Sequence, residues 1–158
     1  MIDFLQKHNI CVNVVSGGST GTTQIKVEKG IYNEIQAGSY LFMDATYRSL
    51  SLPFKNSLFI LTTVVSQREG LTVVDAGVKT CGTDQGMPVP YNGCASEIVA
   101  SEEHFQIHNY TEKTVLGEKI LLVPAHCCST VNLYDKIYLV DGDTVVDRIS
   151  ITAKGIGR

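Results

Sequence analysis

The sequence has no basic excess. Lys and Arg number 13 against 16 Asp and Glu, a formal net charge of −3 with the four His neutral. Proteins that bind nucleic acid or lie on membranes carry the opposite balance, so neither partner is expected. No apolar run approaches the roughly 18 residues that a membrane helix requires. The opening, MIDFLQKH, lacks a basic segment followed by an apolar core, so no secretory signal is visible and a cytoplasmic location is expected by default. Internal repeats, low-complexity tracts and C-x-x-C spacings are also missing. The five cysteines, at 11, 81, 94, 127 and 128, are odd in number, which fits reduced thiols better than a disulfide framework. What remains is a chain of 158 residues, 44% hydrophobic and 18% charged. That is enough for one ordinary core, and the balance is neither that of a disordered nor that of a fibrous protein.

Two unlike parts follow one another. Residues 1–48 alternate helix and strand signals: Ile2 to His8 reads as an amphipathic helix and Ile10 to Val15 as a β-branched strand. Ser16 to Thr22 (SGGSTGT) is a glycine-rich loop, a helix is expected from Thr23 and closed by Gly30, and Tyr40 to Asp44 reads as a buried strand. This is the grammar of parallel α/β architecture. From residue 56 onward the pattern is mostly antiparallel β. Strands are expected at Leu58 to Val65, Leu71 to Val74, Ile120 to Val123, Ile137 to Val140 and Thr144 to Thr152. Asp141-Gly142-Asp143 joins the last two as a hairpin turn. Residues 80–118, rich in Gly, Pro and polar groups, read as long functional loops. Two parallel strands and a helix make no stable sheet alone. The first part is therefore expected either to pack on the β region or to be the end of a larger barrel.

Several segments could carry chemistry. SGGSTGT follows a strand and precedes a helix, so inward-turned backbone N–H groups and the hydroxyls of Ser19, Thr20 and Thr22 could cradle a phosphate; a plain flexible turn reads equally well. In Pro124-Ala125-His126-Cys127-Cys128, extended backbone would point His126 and Cys128 to one side and Cys127 to the other. Imidazole plus thiolate suits zinc, with positions left open for water or substrate; a buried His with two structural cysteines is the alternative. His104, in Ser101-Glu102-Glu103-His104, is open to three roles: third ligand, general base or helix start. Asp75, Lys79 and Asp84 put charge near a strand end, as a functional acid or a simple turn would. His8 and His108 have no companions.

SGGST, EIQAGSYLFMD, VVDAGVK with TDQGMP, ASEEH and PAHCCSTVNLYD occur here in one order. In that order they resemble the C-terminal part of the D-threonine aldolase and D-serine dehydratase group, pyridoxal-phosphate enzymes with an alanine-racemase-like fold. The resemblance covers nearly the whole chain. It implies an α/β plus β architecture: residues 1–48 would be the last strands of a βα-barrel, and 49–158 a mostly antiparallel, barrel-like β domain with a metal site. Gly17, Gly18, Ser19 and Thr20 match the family's phosphate loop, Tyr40 a tyrosine near the cofactor, and His126 and Cys128 the metal ligands. Asp75 and Lys79 match a recurrent segment with an expected structural role. Ala125 stands where the family suggests Asn. The Schiff-base lysine belongs to an earlier segment that this chain does not contain, and Lys26 and Lys79 lie in the wrong places to replace it.

The resemblance thus implies a C-terminal fragment or subunit of a lyase that acts on 3-hydroxy-D-amino acids and depends on pyridoxal 5'-phosphate and a divalent metal, Zn or Mn. Alone it is expected to be inactive. Either elimination of the β-hydroxyl or Cα–Cβ cleavage is compatible with a metal at that hydroxyl. The expected partners are the missing barrel portion or a second copy. The alternatives are a non-catalytic metal- or phosphate-binding β module and an amino-acid racemase using Tyr91, Tyr110 or Tyr134.

Overall fold

A computed structural model describes residues 1–28, 30 and 32–154. Its centre is a six-stranded antiparallel sheet built from β3 (Ile60–Arg68), β4 (Leu71–Val74), β5 (Val89–Pro90), β6 (Glu97–Ala100), β7 (Phe105–His108) and β8 (Lys119–Val123). The spatial order is β5-β8-β3-β4-β7-β6. The sheet curls until its two edges, Val89 and Pro90 on one side and Glu97 and Ile98 on the other, line one open cleft, so the barrel nearly closes.

Alternation sets the register. Along β3, Ile60, Thr62 and Val64 point inward; along β7, Phe105 and Ile107 do, both fully buried. With Val74, Ala76, Cys81, Ile120 and Leu122 they form the core. Each large apolar side chain buried there contributes about 1.5–3 kcal/mol. The short period-2 pairs of β6 and β7 lie inside the stretch expected to be loops. The turn Ser101–His104 joins them, and each strand turns only two apolar residues inward, Ile98 and Ala100 or Phe105 and Ile107, too little to stand out in a window rich in Gly and Pro.

The N-terminal part differs from expectation in two places. Helix α1 (Ile2–Lys7) forms as read, and α2 (Thr23–Glu28) follows the glycine loop, but Ile10 to Val15 is not a strand. Parallel pairing instead joins β1 (Ser16–Gly17) to β2 (Glu34–Ile35), with Val15 accepting from the N–H groups of Asn33 and Glu34. Tyr40 to Asp44 is not a strand either. Ser39–Leu41 makes a 3-10 turn, and Asp44 then caps α3 (Ala45–Arg48) by accepting the Tyr47 N–H at 3.0 Å. The capping carboxylate outweighs the apolar run before it. Strands β9 (Lys136–Asp141) and β10 (Thr144–Ser150) form the expected hairpin as a separate two-stranded sheet.

Where β3 meets the end of β4, a β-bulge lies between Val64 and Ser66. Asp75 clips it: the Thr62 hydroxyl donates to its carboxylate at 2.7 Å and the Thr63 N–H at 2.6 Å. Burial alone would raise this carboxyl, but the hydrogen bonds from Thr63 and Thr62 outweigh it and hold Asp75 below the usual carboxylate value. The expected structural role of Asp75 therefore has a physical form. Asp75→Ala leaves the fully buried Thr62 hydroxyl without its acceptor, at a cost of about 1–3 kcal/mol. Because the folded-state carboxyl is the more acidic, its contribution is complete at neutral pH and is lost as pH falls through the lowered value. Denaturant midpoints should separate wild type from Asp75→Ala at neutral pH and converge in acid.

Candidate functional site

His126 does not continue the strand before it. Its own backbone is extended, φ −139° and ψ 122°, but it is the N-cap of helix α4 (Cys127–Val131). The alternation argument for His126 and Cys128 therefore does not apply, since Cys128 sits in the first helical turn. The partition of the two thiols is nevertheless the expected one: Cys127 is buried and Cys128 exposed.

Two segments grip this helix. Asp44, itself fully buried, accepts the Cys127 N–H at 3.1 Å, while Pro124 and Ala125 accept from Ala45 N–H and the Thr46 hydroxyl. On the other side, the 80–84 loop packs against α4, where the Thr130 hydroxyl accepts the Gly82 N–H at 3.1 Å. Within the helix, that hydroxyl donates to the His126 carbonyl at 2.8 Å. A Cβ on Gly82 would stand 2.7 Å from the Ser129 Cβ, so only glycine admits this approach. Asp84 then reaches His126 Nδ1 at 2.7 Å with one oxygen and receives the Ser129 hydroxyl with the other. These two bonds, from Ser129 first and His126 second, hold the Asp84 carboxyl below its usual value.

The arrangement decides several roles. An ionised carboxylate only accepts, so Nδ1 is the donor in this pair, and in the neutral ring Nε2 is then the nitrogen with the lone pair. The Ser129 hydroxyl is spent on Asp84 and not on the imidazole, so no activated serine is present. Nε2 and the exposed Cys128 thiol are the donors that fit a borderline metal such as zinc. Among the described residues no three His, Cys, Asp or Glu side chains converge, so His104 is not a third ligand. It sits in the β6–β7 turn, where Val78 and Lys79 N–H groups bond to Ser101 and Glu102 carbonyls. Lys79 is held there by Glu103 at 2.6 Å and Glu102 at 3.0 Å, which stabilise its charged form and suit a structural cation. The Lys26 side chain lies outside what is described. Tyr110 and Tyr134 donate their hydroxyls to the carbonyls of Asn92 and Thr80, and Tyr91 packs edge-on against Phe59. None of these features prepares a racemase acid.

The glycine loop divides its residues between two tasks. Gly17 gives room to the Tyr32 ring, 2.7 Å from where its Cβ would be. Thr20 turns its hydroxyl inward to accept the Tyr40 N–H at 3.0 Å, which fixes Tyr40 beside the loop. Gly18, at φ +81°, and the half-buried Ser19 remain at the entrance to the 3-10 turn that leads into α2. A left-handed glycine ahead of a helical start is a backbone that fits an anion.

Residues 57–140 match the family profile described as "Putative serine dehydratase domain". The chain belongs to this family. The 3-hydroxy-D-aspartate aldolase of Paracoccus denitrificans (strain Pd 1222) is 35% identical over 167 residues, which is 99% of this chain and 43% of the aldolase. The D-threonine aldolase of an Arthrobacter species is 33% identical, across 98% of this chain and 43% of its own. Among solved structures, D-threonine aldolase from Filomicrobium marinum superposes with a TM-score of 0.85 at 33% identity, covering 97% of this chain and 44% of that one. The D-threo-3-hydroxyaspartate dehydratase of Delftia sp. HT23 shares the fold, with a TM-score of 0.74, 23% identity and coverage of 94% and 46%. That dehydratase is also known as a Cys→Ala variant in the metal-free form and as a His→Ala variant, the altered residues lying two apart. The chain thus spans less than half the length of these relatives. The alanine-racemase-like architecture expected from the sequence is the one observed.

The two neighbouring thiols should differ in reactivity. Burial first, with Cys128 and Asp44 adding to it, pushes the Cys127 thiol up to about 11. At neutral pH a thiol-alkylating reagent should label Cys11, Cys94 and Cys128 within minutes and leave Cys81 and Cys127 protected until unfolding. Peptide mass spectrometry reads this directly.

Proposed function

We propose that this chain is the C-terminal part of a lyase acting on 3-hydroxy-D-amino acids, of D-threonine aldolase or D-serine dehydratase type. It would depend on pyridoxal 5'-phosphate and a divalent metal, Zn or Mn. In this reading residues 1–48 are the end of the cofactor-binding barrel and 49–158 the metal-bearing β domain. The observation that carries it is His126 at the head of α4, its Nδ1 committed to Asp84, two positions before an exposed Cys128. The metal-free Cys→Ala form of the hydroxyaspartate dehydratase supports the same pair, because its His and Cys have the same spacing.

When bound, the cofactor withdraws electrons from bonds at the substrate's α-carbon and the metal polarises the β-hydroxyl. The chain's own residues prepare the places. His126 and Cys128 would hold the ion, and Gly18 and Ser19 with the loop's N–H groups would hold the phosphate. Gly17 and Thr20 set the loop's shape and Tyr40 flanks it. Lys26 and Lys79 lie in the wrong segments for the Schiff-base lysine, so in this reading turnover draws on a barrel portion supplied from outside these residues. The apolar side chains exposed on β9 and β10 support a covering partner, either that portion or a second copy. The unpaired cysteines suit a cytoplasmic setting.

Elemental mass spectrometry of the purified chain should find about one zinc or manganese per chain. His126→Ala with Cys128→Ser should lose it, and should abolish lyase turnover once the barrel portion is supplied. Retention of full metal content in the double variant would sink the assignment. Metal bound at this site without turnover in the completed protein would favour the non-catalytic module. A racemase would keep its activity in the double variant.

A further inference from the structure

We propose that Asp84 is a positioning residue for the metal site: its carboxylate fixes the tautomer and ring orientation of His126 so that Nε2 faces the ion. The proposal rests on the metal-site reading above and goes beyond it, since Asp84 lies 42 residues earlier in the chain, in a loop with no expected ligand.

Four observations converge. Asp84 Oδ2 lies 2.7 Å from His126 Nδ1, and the carboxylate's other oxygen accepts the Ser129 hydroxyl, so both oxygens are engaged. Ser129 stands on the same short helix that His126 caps, which makes Asp84 a strut between the N-cap and the first turn. Gly82 lets the loop approach Ser129 closely, and its N–H is tied to Thr130. Finally, Thr130 bonds the His126 carbonyl, so ring and backbone of His126 are both referred to one loop. In water a neutral imidazole is free to protonate either nitrogen and to spin about its bonds. Here one nitrogen is assigned. A carboxylate behind a ligating histidine also raises the basicity of the ligating nitrogen, and losing such a partner typically costs 10–100-fold in metal affinity.

The test uses the purified chain, with zinc affinity measured by chelator competition. Cobalt loading is followed through the thiolate-to-cobalt charge-transfer band, and the His126 tautomer is read from ring-nitrogen NMR shifts of the metal-free chain at mildly alkaline pH. Asp84→Asn and Asp84→Ala should weaken zinc about 10–100-fold while keeping the cobalt band at saturation, because Cys128 still ligates. The metal-free Asp84→Ala chain should show mixed tautomers where wild type shows Nδ1–H alone. Ser129→Ala should weaken zinc less than either. Gly82→Ala, which displaces Ser129, should move in the same direction as Ser129→Ala. If His126→Ala abolishes zinc binding but Asp84→Asn and Asp84→Ala bind as wild type does, with an unchanged tautomer, the positioning role is overturned and the metal site stands. If His126→Ala binds zinc as tightly as wild type, the metal site itself falls and the proposal with it. Thermal unfolding of the metal-free variants separates both results from a loss of fold.

Discussion

Both oxygens of the Asp44 carboxylate are committed to backbone N–H groups, one at Tyr47 and one at Cys127, and the side chain is fully buried. A buried carboxylate with two such donors is stable only if both stay in place, because an unsatisfied charge in that position is costly. It therefore ties the first turn of α3, which belongs to the N-terminal part, to the first turn of α4, which belongs to the β region. The neighbouring bonds from Ala45 and Thr46 to Pro124 and Ala125 extend the same seam. The backbone placement of His126 follows from it, since the two residues before it and the one after are all held in this seam.

With that seam in place, the helix of five residues is held from both sides. It is too short to be stable alone. Its first N–H is satisfied by Asp44 on one side, and its Ser129 and Thr130 hydroxyls bond to Asp84 and the Gly82 N–H of the 80–84 loop on the other. Carboxylates at a helix N-terminus also match the positive end of its dipole. One adjacent thiol is driven into the protein and the other left at the surface, which gives two chemically different cysteines at consecutive positions. A site assembled this way owes its geometry to tertiary contacts, and little of it is local.

That division explains what could be read from the residues alone. The β region was legible because β3, β4, β8 and the final hairpin carry long apolar or alternating runs with turn residues between them. His126 and Cys128 stand out in the sequence by their chemistry, but the strand geometry argued for them does not hold: a histidine in extended backbone can as well begin a helix as continue a strand. Strand Tyr40 to Asp44 failed for a related reason. Its last residue is a capping carboxylate whose second donor, the Cys127 N–H, lies 83 positions away. Asp84 was visible only as charge near a turn. Its meaning depends on Gly82, Ser129 and the fold of α4, none of which has a signature at that range. Residues 1–48 carried too little periodicity of their own to choose between packing on the β region and ending a larger barrel.

The isolated hairpin carries a burden of its own. Among the described residues strands β9 and β10 pair only with each other, and Tyr138, Val140, Val145 and Val146 stand largely in solvent. Each strand therefore keeps a free edge of N–H and C=O groups beside β-branched side chains, which is the template that recruits another chain into a cross-strand stack. The sequence interrupts it with charge, at Lys136, Asp141, Asp143, Asp147 and Arg148, and with a bulge between Val145 and Asp147 that spoils a flat register. These residues act as gatekeepers. The colloidal behaviour of the chain rests on a handful of side chains that have no part in its chemistry.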